Sequence, residues 1–176
     1  NSDSGKAEDI YLKSCSLDKS YIPAIEGLID LFQQQGKKSK VIEQIFQLAE
    51  IYYQKQQSEK CTDCFKKILD IEPDNLSNHL KIAESYISWT QVESAISYYD
   101  KAATLYLKKS EIESALVTYK KILGIDPLYI QAVDNMVQIY LDRNDTSSAL
   151  DTLFSHSQLL VKLNQLNLAI DLTKHA

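Results

Sequence analysis

The sequence predicts an all-α solenoid of about ten helices, and three observations carry that expectation. Apolar residues recur three and four positions apart through most of the chain, the spacing of one face of an α-helix. Ala115, Tyr119 and Ile122 lie on one such stripe, and Ala132, Met136 and Tyr140 on the next. Only four glycines and three prolines interrupt 176 residues, which suits helices with short connections. Finally, the chain repeats itself: residues 65–73, FKKILDIEP, return 54 residues later at 119–127 as YKKILGIDP.

The same shift of 54 aligns many other positions by class. Ala7, Cys61, Ala115 and Ala169 are all small, as are Ala95 and Ala149, aligned with Val41. Tyr11, Phe65 and Tyr119 are aromatic, as are Phe32, Tyr86 and Tyr140; Tyr52 and Tyr106 align with Leu160. Leu28, Ile82 and Met136 are large and apolar. The chain therefore holds about three copies of one unit and begins inside a copy.

Taken in order, the stripes and breaks predict helices near 5–17, 21–35, 39–56, 58–71, 75–89, 91–109, 111–124, 128–142, 145–163 and 165–175, and no strand. Pro73 and Pro127 fall where one helix has ended and the next begins, because proline fixes φ and biases the preceding residue against helix. Pro23 instead suits the first turn of a helix, where its missing N–H is harmless. Four residues beyond Phe32, Tyr52, Tyr86, Tyr106, Tyr140 and Leu160 stand Gly36, Gln56, Thr90, Ser110, Asn144 and Asn164. Gly and Asn tolerate the left-handed conformation that ends a helix, so tight turns are expected there. Thr90 is β-branched and resists that conformation, so a different geometry is expected after Ser88.

These spacings resemble the tetratricopeptide repeat. The resemblance rests on Ala115, Tyr119, Ile122 and Pro127, repeated as Cys61, Phe65, Ile68 and Pro73, for the second helix of the repeat. For the first helix it rests on Ile82, Ala83 and Tyr86 before Ala95, Met136 and Tyr140 before Ala149, Ala102, Ala103 and Tyr106 before Ala115, and Leu48, Ala49 and Tyr52 before Cys61. It covers nearly the whole chain. The family's tryptophan and first-helix glycine are missing, although Gly27 stands one residue before Leu28; Trp89 sits in a turn.

The small residues 7, 41, 61, 95, 115, 149 and 169 are separated by alternating steps of 34 and 20. A step of 34 holds a two-helix repeat with its proline turn, whereas 20 cannot hold two helices and a loop. A shared helix accounts for this. Residues 91–109 use Ala95, Tyr99 and Ala102 as the second helix of one hairpin, then Ala102, Ala103 and Tyr106 as the first helix of the next. The expected fold is a right-handed α-α superhelix with a modified curvature. It would be one solenoid segment over 1–176, with units near 1–37, 38–90, 91–144 and 145–176. The polar start NSDSGK and the end LAIDLTKHA suggest a piece of a longer protein.

No chemistry-bearing constellation emerges. Cys61 and Cys64 form a C-x-x-C, but zinc needs four ligands and there is no second pair; Cys61 fills a small packing slot. His79, His156 and His175 have no ligand spacing, and there is no nucleophile elbow or glycine-rich phosphate loop. The expectation is no enzyme, no cofactor and no metal. A formal charge of −5 with Arg143 as the only arginine argues against nucleic acid. No apolar run is long enough for a membrane span. Three cysteines without a disulfide framework point to a reducing, cytoplasmic compartment.

What the resemblance implies is protein binding along an inner wall formed by first helices. Mapped onto this chain, the inward candidates are Glu26, Asp30, Phe46, Glu50, Tyr53, Leu80, Glu84, Asp134 and Gln138. The family's carboxylate-clamping Lys and Asn are absent there, and acids stand instead, favouring a basic or amphipathic helical partner. The function expected is a protein-interaction scaffold or adaptor. The alternative is a regulatory or targeting segment of a larger protein whose catalytic domain lies outside this segment. Self-association through open solenoid ends is a further expectation. The two lysines of each nonapeptide are expected in solvent.

Overall fold

A computed structural model describes residues 2–174. Among the described residues there are ten α-helices and no β-strand. They are α1 (Ser2–Leu17), α2 (Ile22–Gln34), α3 (Lys38–Gln54), α4 (Ser58–Ile71), α5 (Leu76–Ser88), α6 (Val92–Lys108), α7 (Ile112–Ile125), α8 (Ile130–Asp142), α9 (Thr146–Lys162) and α10 (Leu166–Lys174). The chain divides into two compact units, Asn1–Asn75 and Leu76–Ala176.

Helix lengths repeat with the sequence. Helices α3, α6 and α9 each have 17 residues, α4 and α7 have 14, and α2, α5 and α8 have 13. The period of 54 is thus one long and two shorter helices. Helix α6 runs through Ala102 without a break and packs on both α5 and α7, as the shared-helix reading requires. Its two faces are apolar at once: Ala95, Ile96 and Tyr99 are buried, and so are Ala102, Ala103 and Leu105. Helix α3 packs likewise on α2 and α4, and α9 on α8 and α10.

The nine-residue spacing from each aromatic to the next small residue is a hydrogen-bonded turn. The Gln91 amide donates to the Tyr86 carbonyl at 2.9 Å, Thr90 to Ile87 at 3.0 Å, and Ala95 to the Gln91 carbonyl at 3.1 Å. The first two are the paired bonds of a Schellman ending, and the third opens the next helix. Five residues across the stop and four into the start make nine. The same set joins Phe32 to Val41, Tyr52 to Cys61, Tyr106 to Ala115, Tyr140 to Ala149 and Leu160 to Ala169.

Each such turn needs one residue at positive φ, and all six are where the sequence places them: Gly36 (69°), Gln56 (58°), Thr90 (58°), Ser110 (61°), Asn144 (57°) and Asn164 (60°). Thr90 does not depart from the others, contrary to the expectation from its β-branch. The two helix-ending bonds and the packing of Trp89 hold it there. Trp89 is buried edge-on against Tyr86, with centroids 5.7 Å apart and planes at 84°. Left-handed conformation costs an L-residue about 1–2 kcal/mol, so the packing of the joined helices offsets a strain repeated at five non-glycine positions.

A second kind of turn closes each shorter pair. Asp18, Glu72 and Asp126, 54 apart, accept at their carbonyls from Tyr21, Asn75 and Tyr129 at 3.2, 3.3 and 3.2 Å. Pro73 and Pro127 follow the last two, and Pro23 sits in the first turn of α2.

Within the first unit, Cys61, Cys64, Phe65 and Ile68 line the buried stripe of α4. Fully burying a side chain such as Phe65 or Ile68 contributes about 1.5–3 kcal/mol. Within the second, Tyr99, Tyr119, Ile122 and Met136 centre one core cluster, and Val133, Leu153, Leu160 and Leu172 another.

Candidate functional site

The first unit holds a groove of about 520 Å³ between α2, α3 and α4. Helix α2 turns Glu26, Ile29, Asp30 and Gln33 towards it, residues spaced three and four apart and so on one stripe. Helix α3 supplies the floor with Ile45 and Leu48, both buried. Helix α4 closes the far side with Cys64, Lys67, Asp70 and Ile71. The walls are therefore aliphatic below and charged above, with three carboxylates facing one ammonium.

Cys64 is a buried thiol in this wall, and burial pushes it up to about 11, with Lys67 pulling the other way. Cys61 is pushed up to about 12 by burial, with Cys64 and Glu50 adding to it. Both stay protonated at neutral pH and both are free, the opposite of an activated redox pair. Among the described residues no group of three or more His, Cys, Asp and Glu is arranged to hold a metal ion.

At the equivalent place in the second unit a lysine of the chain itself meets the acid in an exposed ion pair. Asp30 becomes Glu84, Lys67 becomes Lys121, and Ile45 becomes Tyr99. The Lys121 ammonium lies 3.6 Å from a Glu84 carboxylate oxygen and 4.5 Å from the Tyr99 ring centroid. Partial burial opposes its charge, but Tyr99 and Glu84 outweigh that and hold the ammonium above its usual range. Both lysines of this nonapeptide are exposed, as expected, and the second also meets Glu84 and the Tyr99 ring.

The sequence-selected residues separate into groups. Glu26 and Asp30 stand together in the groove, both exposed. Phe46 does not face a partner: it is buried against Phe65, ring centroids 6.0 Å apart, because a phenyl ring at that register reaches the α3–α4 core. Glu50 is exposed outside the groove and accepts from Gln54 Nε2 at 3.1 Å, and Tyr53 is half-buried on the same helix. In the second unit Leu80 packs half-buried against the core cluster, Glu84 holds Lys121, and Asp134 is exposed. Gln138 donates to Asp142 at 2.7 Å. The α4 side of the groove was missed, although the repeated second lysine of FKKILDIEP was its signal.

Of the histidines, His156 is buried with Nε2 2.9 Å from the Pro127 carbonyl, so it fastens α9 to the α7–α8 turn. His79 is buried near Tyr98, ring centroids 6.1 Å apart, and His175 lies outside the described residues. Arg143 donates to Glu113 at 2.6 Å. No helix among the described residues is long and apolar enough to cross a membrane.

The family model for the tetratricopeptide repeat matches residues 45–75 and 76–109. No curated protein matches the chain. Among solved structures, MamA (41-end) from Desulfovibrio magneticus RS-1 is 12% identical over 92% of this chain and 97% of its own, with a TM-score of 0.39. PilW, a type IV pilus biogenesis factor, is 15% identical over 99% and 92%, also at 0.39. YrrB, a repeat protein of the same family with an unusual peptide-binding site, is 12% identical over 98% and 84%, at 0.32.

Proposed function

We propose that this chain, a tetratricopeptide-repeat protein by its segments 45–75 and 76–109, is a protein-interaction scaffold that holds a segment of a partner protein. The observation that carries the reading is the repeated hairpin itself. Stacked hairpins bury one face on their neighbours and leave a long side-chain-studded wall on the other. The first helices carry exposed acids in each unit, Glu26, Asp30 and Glu50 in the first and Glu84 and Asp134 in the second. The partner that suits them is a basic or amphipathic helical segment, drawn in by charge and held by apolar contact.

The test is capture by the immobilised chain of peptides matched in length and apolar content but differing in charge. Basic amphipathic peptides are expected to bind, more weakly as salt rises, and charge reversal by Glu50→Lys with Glu84→Lys is expected to release them. Equal capture of basic and acidic peptides, or no loss in the double variant, would end the acidic-wall reading.

Self-association is a second reading, supported by one observation. Ile96 is 4% exposed, whereas its equivalent Leu150 is 50% exposed. An apolar position covered in one copy of the unit lies open in the next, where a second molecule would cover it. Light scattering across a concentration series, with Leu150→Lys, tests this. A mass that stays monomeric throughout would end it.

A further inference from the structure

We infer that the groove between α2 and α4 of the first unit receives a lysine or arginine side chain from the partner. The inference rests on the protein-binding reading above and gives that reading a defined subsite. Its cation would sit among Glu26, Asp30 and Asp70, with the stem over Ile29, Ile45 and Leu48.

Three observations lead there. Among the described residues, no hydrogen bond or ion pair engages the carboxylates of Glu26, Asp30 or Asp70. The one cation in the wall, Lys67, has no carboxylate within 4.0 Å among the described residues, the groove's acids included. The recess therefore holds three carboxylates over an aliphatic floor with no internal cation paired to them.

The chain itself shows what such a position accepts. One unit later the acid at the Asp30 position is Glu84, and Lys121 brings its ammonium to that carboxylate and to the face of Tyr99. An ammonium over an aromatic ring gains from the ring's negative face. In the first unit the ring is replaced by Ile45, so Lys67 has no such platform and the acids stay open. The Glu26 and Asp70 positions become Leu80 and Gly124, so only the Asp30 position stays acidic one unit later, and there the chain supplies the cation itself.

The shape of the recess selects the class of occupant. No cluster there is arranged for a metal ion. A group with an apolar stem and a charged tip satisfies the floor and the rim together, which describes lysine and arginine. A bare inorganic cation would leave the floor uncovered.

The experiment is a titration of the isotope-labelled chain with a dodecapeptide of alanine, leucine and lysine, followed by amide shifts and by fluorescence anisotropy. The expected shifts lie on residues 26–33 and 64–71, and glutamine in place of the peptide lysines should abolish them. Glu26→Gln with Asp30→Asn is expected to weaken binding by about tenfold, the order of one charge-assisted contact. Lys67→Gln should tighten it by removing the competing cation. Asp30→Glu, with the charge kept as in the second unit, should bind normally and guards against a folding defect.

Unchanged affinity in Glu26→Gln/Asp30→Asn, equal binding of the glutamine peptide, or shifts elsewhere would overturn the subsite. If Glu50→Lys with Glu84→Lys then still releases the peptide, the acidic-wall reading survives and only the groove is lost. No binding of the lysine peptide overturns the groove outright.

Discussion

Phe46 of α3 and Phe65 of α4 pack with their ring centroids 6.0 Å apart, and the same two positions one unit later hold Asp100 and Tyr119. The exchange replaces an aromatic pair by a carboxylate beside a buried phenol. Asp100 Oδ1 is buried with no hydrogen-bond partner among the described residues, and burial holds its carboxyl above the usual range. The Tyr119 phenol is also raised, first by burial and then by Asp100.

Asp100→Asn is therefore expected to stabilise the second unit at neutral pH, by up to about 1 kcal/mol, because it removes a poorly solvated charge. A carboxyl with a raised folded pKa binds its proton more tightly when folded. Its favourable contribution is complete below the unfolded value near 3.8 and is lost as pH rises through the folded pKa. Urea titrations between acid and neutral pH should show this component in the parent and not in Asp100→Asn. Phe46→Ala should cost about 3–5 kcal/mol, the range for a buried phenylalanine.

The left-handed turn residues give opposed outcomes at two sites of one geometry. A Cβ on Gly36 would meet nothing within 4 Å, so Gly36→Ala tests conformation alone at φ +69°. It is expected to cost about 1 kcal/mol, and Thr90→Gly to gain a similar amount after loss of its 2.7 Å bond to the Trp89 carbonyl. Thermal melts of the two variants beside the parent decide it.

Gly27 has the opposite surroundings. A Cβ there would fall inside contact distance of the Tyr11 ring on α1. Gly27→Ala should displace α1 and cost about 1–3 kcal/mol by overpacking. Loss of α1 protection in hydrogen exchange, with α4 unaffected, is the expected pattern.

His156 supplies a pH dependence of the other sign. Burial lowers its pKa, only partly countered by the bond to the Pro127 carbonyl. A lowered folded pKa means the contribution is present above the unfolded value near 6.5 and is lost as pH falls through the folded value. Stability should therefore drop on acidification from neutral pH, and His156→Gln should flatten that slope.

Thiol chemistry checks the reading of the C-x-x-C. Cys15 is half-buried, while Cys61 and Cys64 are buried and raised. A disulfide reagent should titrate Cys15 first in the native protein and all three thiols after denaturation. Rapid native reaction at Cys61 or Cys64 would contradict their packing role.

The helices were legible because each one carries a complete local signal. Ala115, Tyr119 and Ile122 declare a helical face by spacing, and Gly36, Asn144 and Asn164 declare its end by the conformation they tolerate. Thr90 departs from its intrinsic preference because the two turn bonds and the Trp89 packing override it. Phe46 misled for a related reason: register gave its position along α3, but its direction depends on Phe65, nineteen residues away.

The sequence alone determined the period, the three-helix unit and the places of the six turns, since a repeated local signal marks each of them. The family match adds that residues 45–75 use the latter part of α3 as a first helix, while 76–109 use α6 as a second helix. Those two helices are equivalents 54 residues apart, so one helix type fills both roles. Tertiary structure alone decided which charges meet. Lys67 and Lys121 are the same residue at the same register, yet one lines an open groove and the other reaches Glu84 over Tyr99. The neighbouring positions differ, Glu84 standing where Asp30 does and Tyr99 where Ile45 does, and Tyr99 is the third residue, whose ring face receives the ammonium. Pairing across helices depends on that third residue, and no pattern along one helix contains it.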